Sequence, residues 1–203
     1  MIILKNLTEE NYFLPEDSID AKKKFFDMLS LADETFISCY AFTLPEAYEI
    51  ILNLDKQGVK QSLLLDYSQG CGPSAKPKIK NLIQNVKNTT VILTAAGPKS
   101  IKPKSGLWHV KGMVKIPSDN RKAPLCMDGS TNMTISGFNQ GNTMRFFKSK
   151  LWADTFVKQH IELRDWALQN LPHYQPSILS KDYDSIDYFF NSLNYLENNN
   201  FLI

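Results

Sequence analysis

The segment 108–116 reads WHVKGMVKI and holds a histidine and a lysine two positions apart in a stretch that otherwise alternates like a β-strand. Residues i and i+2 of a strand point to the same face, so His109 and Lys111 are expected to share one face. His109 is one of three histidines in the chain. A face that carries an imidazole beside an ammonium is either solvated or suited to binding an anion.

A second polar group follows the next predicted strand. The segment 123–129 (APLCMDG) is predicted to pair with 107–116 as a hairpin around the polar turn 117–122. This pairing brings Ser130 and Asn132 of the following GSTN stretch back beside the histidine and the lysine. One imidazole nucleophile with ammonium, hydroxyl and amide donors around it suits a phosphate diester.

Positive charge is concentrated around this segment, although the net charge of the chain is only +2. Residues 99–122 hold seven Lys or Arg and a single acid, Asp119. Such a local field favours an anionic partner. Four of these lysines are the candidate phosphate-binding residues: Lys99, Lys102, Lys104 and Lys115.

The rest of the chain alternates between helix and strand patterns. Helices are predicted over 18–33, 44–58, 78–88 and 150–171, and further strands over 34–42, 59–66, 89–95 and 143–149. Loops are predicted over 68–77 and 96–106, and 130–142 is almost wholly small and polar. This rhythm predicts an α/β fold, a mixed sheet flanked by helices. We expect one domain over 1–203, with a core at about 18–170 and an aromatic, acidic tail at 173–203. The last helix is predicted to place four side chains in the core: Trp152, Phe156, Leu163 and Trp166.

The composition excludes several classes of protein. With 203 residues, of which 43% are hydrophobic and 22% charged, the chain is typical of a globular domain. No stretch approaches the roughly 18 apolar residues of a membrane span, and the start lacks the features of a signal peptide. The three cysteines lack metal-ligand spacing, and Cys39 and Cys126 are expected to be buried thiols. We therefore expect a cytoplasmic location, no membrane contact and no metal.

The order of these motifs resembles a known family. HVK at 109–111 followed by GSTN at 129–132 is similar to the HxK…GSxN signature of the phospholipase D superfamily. The stretch 37–66 resembles its strand ending in Tyr-x-Phe-Thr, then a helix, then a strand ending in Asp, and 132–142 resembles the segment after GSxN. The similarity covers roughly residues 18–170 and implies a phospholipase D-like domain. Because the chain has one motif copy, it resembles the small nuclease-like branch, which forms its active site by dimerisation.

The resemblance also implies roles for individual residues. His109 is the expected nucleophile, forming a phosphohistidine, and the partner subunit's His109 is the expected acid for the leaving oxygen. Lys111 and Asn132 are expected to bind the non-bridging oxygens, with assistance from Ser130. The family needs no metal or other cofactor. The resemblance thus implies a metal-independent nuclease that acts as a homodimer on nucleic acid, DNA rather than RNA.

Two positions depart from the family pattern. Ile116 occupies the place of a usual Asp, and Met144 that of a Glu which orients the histidine. Asp128 and Asp66 are the candidate orienting carboxylates, because a catalytic imidazole normally needs an acceptor behind it. Two alternatives therefore stay open. One is a catalytically weak or inactive nucleic-acid-binding relative, and the other is a phosphodiesterase for phospholipids or small nucleotides.

Overall fold

A computed structural model describes residues 9–70, 74–94 and 108–170 of the chain. Across these residues one mixed sheet has seven strands, in the spatial order β1-β7-β6-β5-β2-β3-β4. The strands are β1 (Glu10–Phe13), β2 (Glu34–Cys39), β3 (Gln61–Asp66), β4 (Thr89–Thr94), β5 (Lys111–Ile116), β6 (Leu125–Gly129) and β7 (Thr143–Lys148). The helices are α1 (Ser18–Leu29), α2 (Pro45–Lys56), α3 (Tyr67–Gly70), α4 (Lys76–Asn85), α5 (Ile135–Phe138) and α6 (Lys150–Asn170).

The α/β prediction is confirmed, with three short elements missed. The sequence pattern did not indicate β1, α3 or α5, which have only four residues each and are too short to show a period. The predicted tail 173–203 and the stretch 95–107 lie outside the described residues. Within the described residues, no helix is long and apolar enough to cross a membrane.

The sheet divides into a parallel and an antiparallel half. β2, β3 and β4 run parallel, and the crossover elements between them include α2 and α4. Strands of this kind are covered on both faces, which is why β3 is buried at every position. β5 then pairs antiparallel with both β2 and β6, so the predicted hairpin is confirmed.

Helices cover both faces of the sheet. Phe36 and Ile37 are neighbours on β2 and therefore point to opposite faces. Phe36 packs with Phe156 of α6, whereas Ile37 belongs to a larger core cluster with Phe25 of α1 and Ile51 of α2. The predicted core contacts of the last helix are confirmed: two of these side chains are buried and two are half-buried against the core, namely Phe156, Leu163, Trp152 and Trp166.

One histidine is part of this packing. His160 of α6 is 1% exposed, with Nδ1 3.0 Å from the Ser38 hydroxyl and Nε2 2.8 Å from the Ser62 hydroxyl. Burial, and to a smaller extent the positive charge of Arg164, lowers the pKa of His160 to about 3. The neutral ring donates to one hydroxyl and accepts from the other, which ties α6 to β2 and β3.

Replacing His160 by Gln is expected to reduce the decrease of the free energy of unfolding that accompanies a fall in pH below about 6.5. The native imidazole stays neutral down to a pKa of about 3, whereas the unfolded one protonates near pH 6.5. The unfolded chain therefore binds the extra proton in this window. The free energy of unfolding should fall as pH drops from about 6.5 towards 3, with a limiting slope of about 1.4 kcal/mol per pH unit, and be unaffected by this group above pH 6.5.

Urea titrations of the wild type and His160→Gln at about pH 5 and about pH 7.5 measure the difference. Tyr48→Phe is the control, because it removes a buried hydroxyl that donates to the Phe42 carbonyl at 2.6 Å without a titration in this range. Equal pH dependence in the wild type and His160→Gln would contradict the assignment.

Candidate active site

Several chain segments with polar side chains meet at one edge of the sheet. The parallel strands β2 and β3 end at this edge, with Tyr40 following the first and Asp66 closing the second. β5 runs in the opposite direction and begins here at Lys111, which pairs with Cys39. β6 ends here at Gly129, just before Ser130 and Asn132. The two motif groups are therefore at the same edge, as predicted.

The histidine and the lysine of the motif differ in exposure. β5 begins at Lys111, so His109 precedes the strand and is exposed, whereas Lys111 is only 6% exposed. Burial lowers the pKa of Lys111, while the neighbouring Cys39 and Asp66 act in the opposite direction. The lysine Nζ donates to the His109 carbonyl at 3.0 Å. The recessed ammonium of Lys111 is thus bound to the backbone of the residue that carries the exposed imidazole.

A tyrosine lies against both residues. The ring centroids of Tyr40 and His109 are 4.6 Å apart, with the planes tilted by 58°. The Nζ of Lys111 lies 5.1 Å from the Tyr40 ring centroid. The tyrosine amide also donates to the Val110 carbonyl at 2.9 Å, which continues the pairing of the two strands beyond their ends. Sequence reasoning noted the Tyr-x-Phe-Thr stretch but assigned no role to Tyr40.

The candidate orienting carboxylate Asp66 supports the backbone of the motif. It is 1% exposed and accepts from the Trp108 amide at 2.7 Å and from the Gln69 amide at 3.3 Å. Trp108 directly precedes His109. The carboxylate therefore fixes the chain next to the imidazole.

The other candidate, Asp128, has a different partner. Its carboxylate forms a two-pronged pair with Arg145, at 2.9 Å from Nε and 2.6 Å from Nη2. This ion pair joins β6 to β7, because Asp128 and Arg145 are cross-strand partners. The structure therefore engages Asp128 with an arginine and gives no support to the prediction that it orients His109.

The GSTN segment is held by the start of β7. The Ser130 hydroxyl accepts from the Thr143 amide at 2.9 Å and donates to Asn142 Oδ1 at 3.2 Å. Thr131 Oγ1 donates to the Thr143 carbonyl at 2.9 Å. Gly129 has a φ of +150°, and a Cβ there would collide with the Thr143 carbonyl. Only glycine permits this close approach, so it shapes the loop that presents Ser130.

Asn132 has hydrogen-bonding capacity that no described protein group uses. Its Oδ1 is buried without a partner among the described residues. The loop is tied to the segment after β2, because the next amide, that of Met133, donates to the Ala41 carbonyl at 3.0 Å. Buried polar atoms are normally paired, so this unpaired oxygen can accept from a ligand donor, whereas a hydrogen bond to an anion has to come from Asn132 Nδ2.

The candidate phosphate-binding lysines are not all at the site. Lys115 is fully buried on β5 opposite Thr35, roughly 13 Å along the strand from Lys111. Its Nζ donates to the Leu31 carbonyl at 2.6 Å, and burial lowers the pKa of Lys115 to about 8 against the opposing charge of Asp33. This position gives no support to the predicted phosphate contact. The other three, Lys99, Lys102 and Lys104, lie outside the described residues.

The two departures from the family pattern are also placed. Met144 is 1% exposed and packs in the core from β7, so an apolar side chain occupies its position. Ile116 lies at the far end of β5 from His109. Among the described residues no group of three or more His, Cys, Asp or Glu is arranged to hold a metal ion.

Comparison with known proteins finds the fold but no sequence match. No family model and no curated protein matches the chain. NucT from Helicobacter pylori superposes with a TM-score of 0.65, at 17% identity, over 79% of this chain and 98% of its own. Nuc from Salmonella typhimurium, a phospholipase D family member, superposes with a TM-score of 0.60 at 16% identity, over 79% of this chain and 96% of its own. TrmBL2, an archaeal chromatin protein with a novel mode of DNA binding, superposes with a TM-score of 0.52 at 14% identity, over 81% of this chain and 55% of its own.

These structures define the class of the chain. It has the phospholipase D-like fold, an α/β domain with a mixed seven-stranded sheet. The fold implied by the HVK and GSTN motifs is confirmed. The polar edge described above is the part of this fold where His109, Lys111, Ser130 and Asn132 converge.

Two lysines of one strand offer a matched test of the site. Lys111→Met is expected to weaken tungstate or phosphate binding by roughly 10- to 100-fold, the scale of a charge-assisted hydrogen bond. Lys115→Met should leave anion affinity unchanged and maintain or raise the melting temperature, because it removes a buried charge that is costly to desolvate. Calorimetric anion titration and thermal melts measure both. A comparable loss of affinity in the two variants would contradict the assignment.

Proposed function

We propose that the chain is a phosphodiesterase that cleaves nucleic acid, DNA rather than RNA, without a metal cofactor. The observation that carries this proposal is an exposed His109 and a recessed Lys111 that both contact the ring of Tyr40, at an edge that also presents Ser130 and Asn132. A nucleophile and three kinds of donor are what an anionic phosphoryl centre requires.

The reaction has two steps with balanced bonds. A neutral imidazole nitrogen of His109 attacks phosphorus and forms a P–N bond, while the bond to the leaving oxygen breaks. The partner subunit's His109 donates the proton that this oxygen takes up. Water then attacks phosphorus and gives its proton back to that second imidazole, and the P–N bond breaks, which restores both histidines.

The remaining site residues stabilise charge in this scheme. Lys111 and Asn132 Nδ2 donate to the non-bridging oxygens, whose negative charge grows in the transition state. Ser130 assists once its hydroxyl hydrogen turns from Asn142 Oδ1 to the phosphate. Lys111 is suited to this role because its side chain is largely removed from water. Attraction between opposite charges is stronger in such a site than in water. Lys99, Lys102 and Lys104 are proposed to contact phosphates further along the strand of nucleic acid.

A homodimer follows from the number of histidines in the motif. One imidazole cannot be both nucleophile and acid, because the two groups stand on opposite sides of phosphorus. Two subunits on a two-fold axis bring the same patch together and so supply both. The exposure of His109 at the rim of the sheet leaves it accessible to a second copy.

The second candidate function is nucleic-acid binding without cleavage. Met144 favours it, since a buried methionine stands where the family carries the glutamate that orients the histidine. TrmBL2, an archaeal chromatin protein, shows that a DNA-binding protein can share this fold. A phosphodiesterase for phospholipids or small nucleotides uses the same chemistry, so the first experiment includes those substrates.

Cleavage is expected to survive millimolar EDTA and to depend on His109. Removal of a covalent nucleophile should lower kcat by about 10³-fold or more. Plasmid DNA, RNA, a phospholipid and a chromogenic phosphodiester are each incubated with the wild type and with His109→Ala, after circular dichroism has shown that the variant is folded. Activity that appears only after magnesium is added would contradict the mechanism, and DNA binding without cleavage would favour the second candidate.

The shared site makes a quantitative demand on mixed dimers. When wild type and His109→Ala are co-expressed and pair at random, activity should follow the square of the wild-type fraction if each site needs both histidines. An equal mixture should then retain about a quarter of the wild-type rate, as opposed to about half for independent subunits. A mixture of wild type with differently tagged wild type controls for the tags. Retention of half the rate, or cleavage by a monomer, would defeat the shared site.

A further inference from the structure

His109 needs a group that orients its imidazole, and the carboxylate that has this role in the family is missing here, because Met144 occupies its position. A catalytic imidazole must be held in one orientation, because both its nucleophilic nitrogen and its proton have to point correctly. Met144 offers only a buried apolar side chain, and Asp128 is paired with Arg145. Asp66 binds the amide of Trp108 at 2.7 Å, so it positions the backbone next to the histidine.

The ring of Tyr40 occupies the place beside the imidazole. We infer that Tyr40 is the positioning residue of His109, with its aromatic face against the imidazole where Met144 supplies no carboxylate; this inference rests on the proposed function. The centroids lie 4.6 Å apart, well within the range of aromatic pairs. A tilted packing of this kind restricts the rotation of the histidine side chain about χ2.

The tyrosine is itself fixed at both ends. Its amide donates to the Val110 carbonyl at 2.9 Å, and its hydroxyl accepts from Gln69 Nε2 at 3.1 Å. The backbone amide of Gln69 in turn donates to the Asp66 carboxylate at 3.3 Å, and the same carboxylate accepts from the backbone amide of Trp108. These hydrogen bonds connect Tyr40 to both neighbours of His109: to Val110 directly, and to Trp108 through Gln69 and Asp66. A ring braced in this way can hold a neighbouring side chain.

The same ring also serves the charges of the site. Lys111 Nζ lies 5.1 Å from its centroid, so the electron-rich face partly compensates the ammonium for its lost water. An imidazolium in the position of His109 is attracted to the electron-rich ring for the same reason. This attraction suits the histidine that carries a proton for the leaving oxygen, where a carboxylate would otherwise stabilise the positive charge.

Three variants test the inference. Tyr40→Leu removes the ring, Tyr40→Phe keeps the ring and loses the hydroxyl, and Gln69→Ala removes the amide that holds the hydroxyl. We expect Tyr40→Leu to lower kcat by roughly 10- to 100-fold with little change in KM, the scale found for groups that orient a reacting histidine. Tyr40→Phe should retain most of kcat, and Gln69→Ala should resemble it.

A spectroscopic readout makes the test independent of activity. The Cε1 proton of His109, assigned by its absence in His109→Ala, lies close enough to the Tyr40 ring to sense its ring current. Its NMR resonance should move in Tyr40→Leu and stay close to the wild-type position in Tyr40→Phe. Circular dichroism and thermal melts report whether each variant is folded. If Tyr40→Leu does not fold, a nuclear Overhauser effect between the His109 Cε1 proton and the Tyr40 ring protons of the wild type supports the contact, and its absence overturns the inference.

The outcomes separate this inference from the proposed function. A wild type that cleaves, with an equally active and folded Tyr40→Leu, would overturn the positioning role and leave the function standing. An unmoved His109 resonance in folded Tyr40→Leu would overturn it as well. A wild type that cleaves none of the substrates, with a resonance that moves in Tyr40→Leu alone, would reject the function and support the contact of Tyr40 with His109.

Discussion

The antiparallel pairing of β5 with β2 is the constraint on which the site depends. β2, β3 and β4 run parallel, and only a reversal of direction lets the next strand begin where β2 and β3 end. The register that pairs Cys39 with Lys111 sets His109 beside Tyr40 and Trp108 beside Asp66. A register shift of one residue would turn Lys111 to the other face and dissolve this arrangement.

Burial then assigns different tasks to side chains of the same type. Lys111 and Lys115 stand on one strand, yet one faces the polar edge and the other ends on the Leu31 carbonyl inside the fold. His109 and His160 differ likewise, since the first is exposed at the rim and the second is enclosed by Ser38 and Ser62. A lysine or histidine in the sequence can therefore contact an anion only where the fold leaves its side chain accessible.

The similarity to NucT and Nuc holds at 17% and 16% identity, so the fold is retained across extensive sequence change. A fold does not determine a reaction, and the chemistry must be argued from the site. Met144 is buried in the core from β7, and Tyr40 is the aromatic ring packed on the imidazole of His109. Under the proposed function, catalysis depends on whether packing against the Tyr40 ring is enough to orient His109.

The sequence by itself determined the α/β class, the hairpin and the grouping of His109 and Lys111 with the GSTN loop, because alternation, turn residues and motif order are local signals. It did not reveal β1, α3 and α5, which are too short to be periodic. Nor did it separate Lys115 from the site, couple Asp128 to Arg145, or bring Tyr40 and Gln69 to His109. Those contacts join residues far apart in the chain, and only strand order and register, which tertiary packing decides, bring them together.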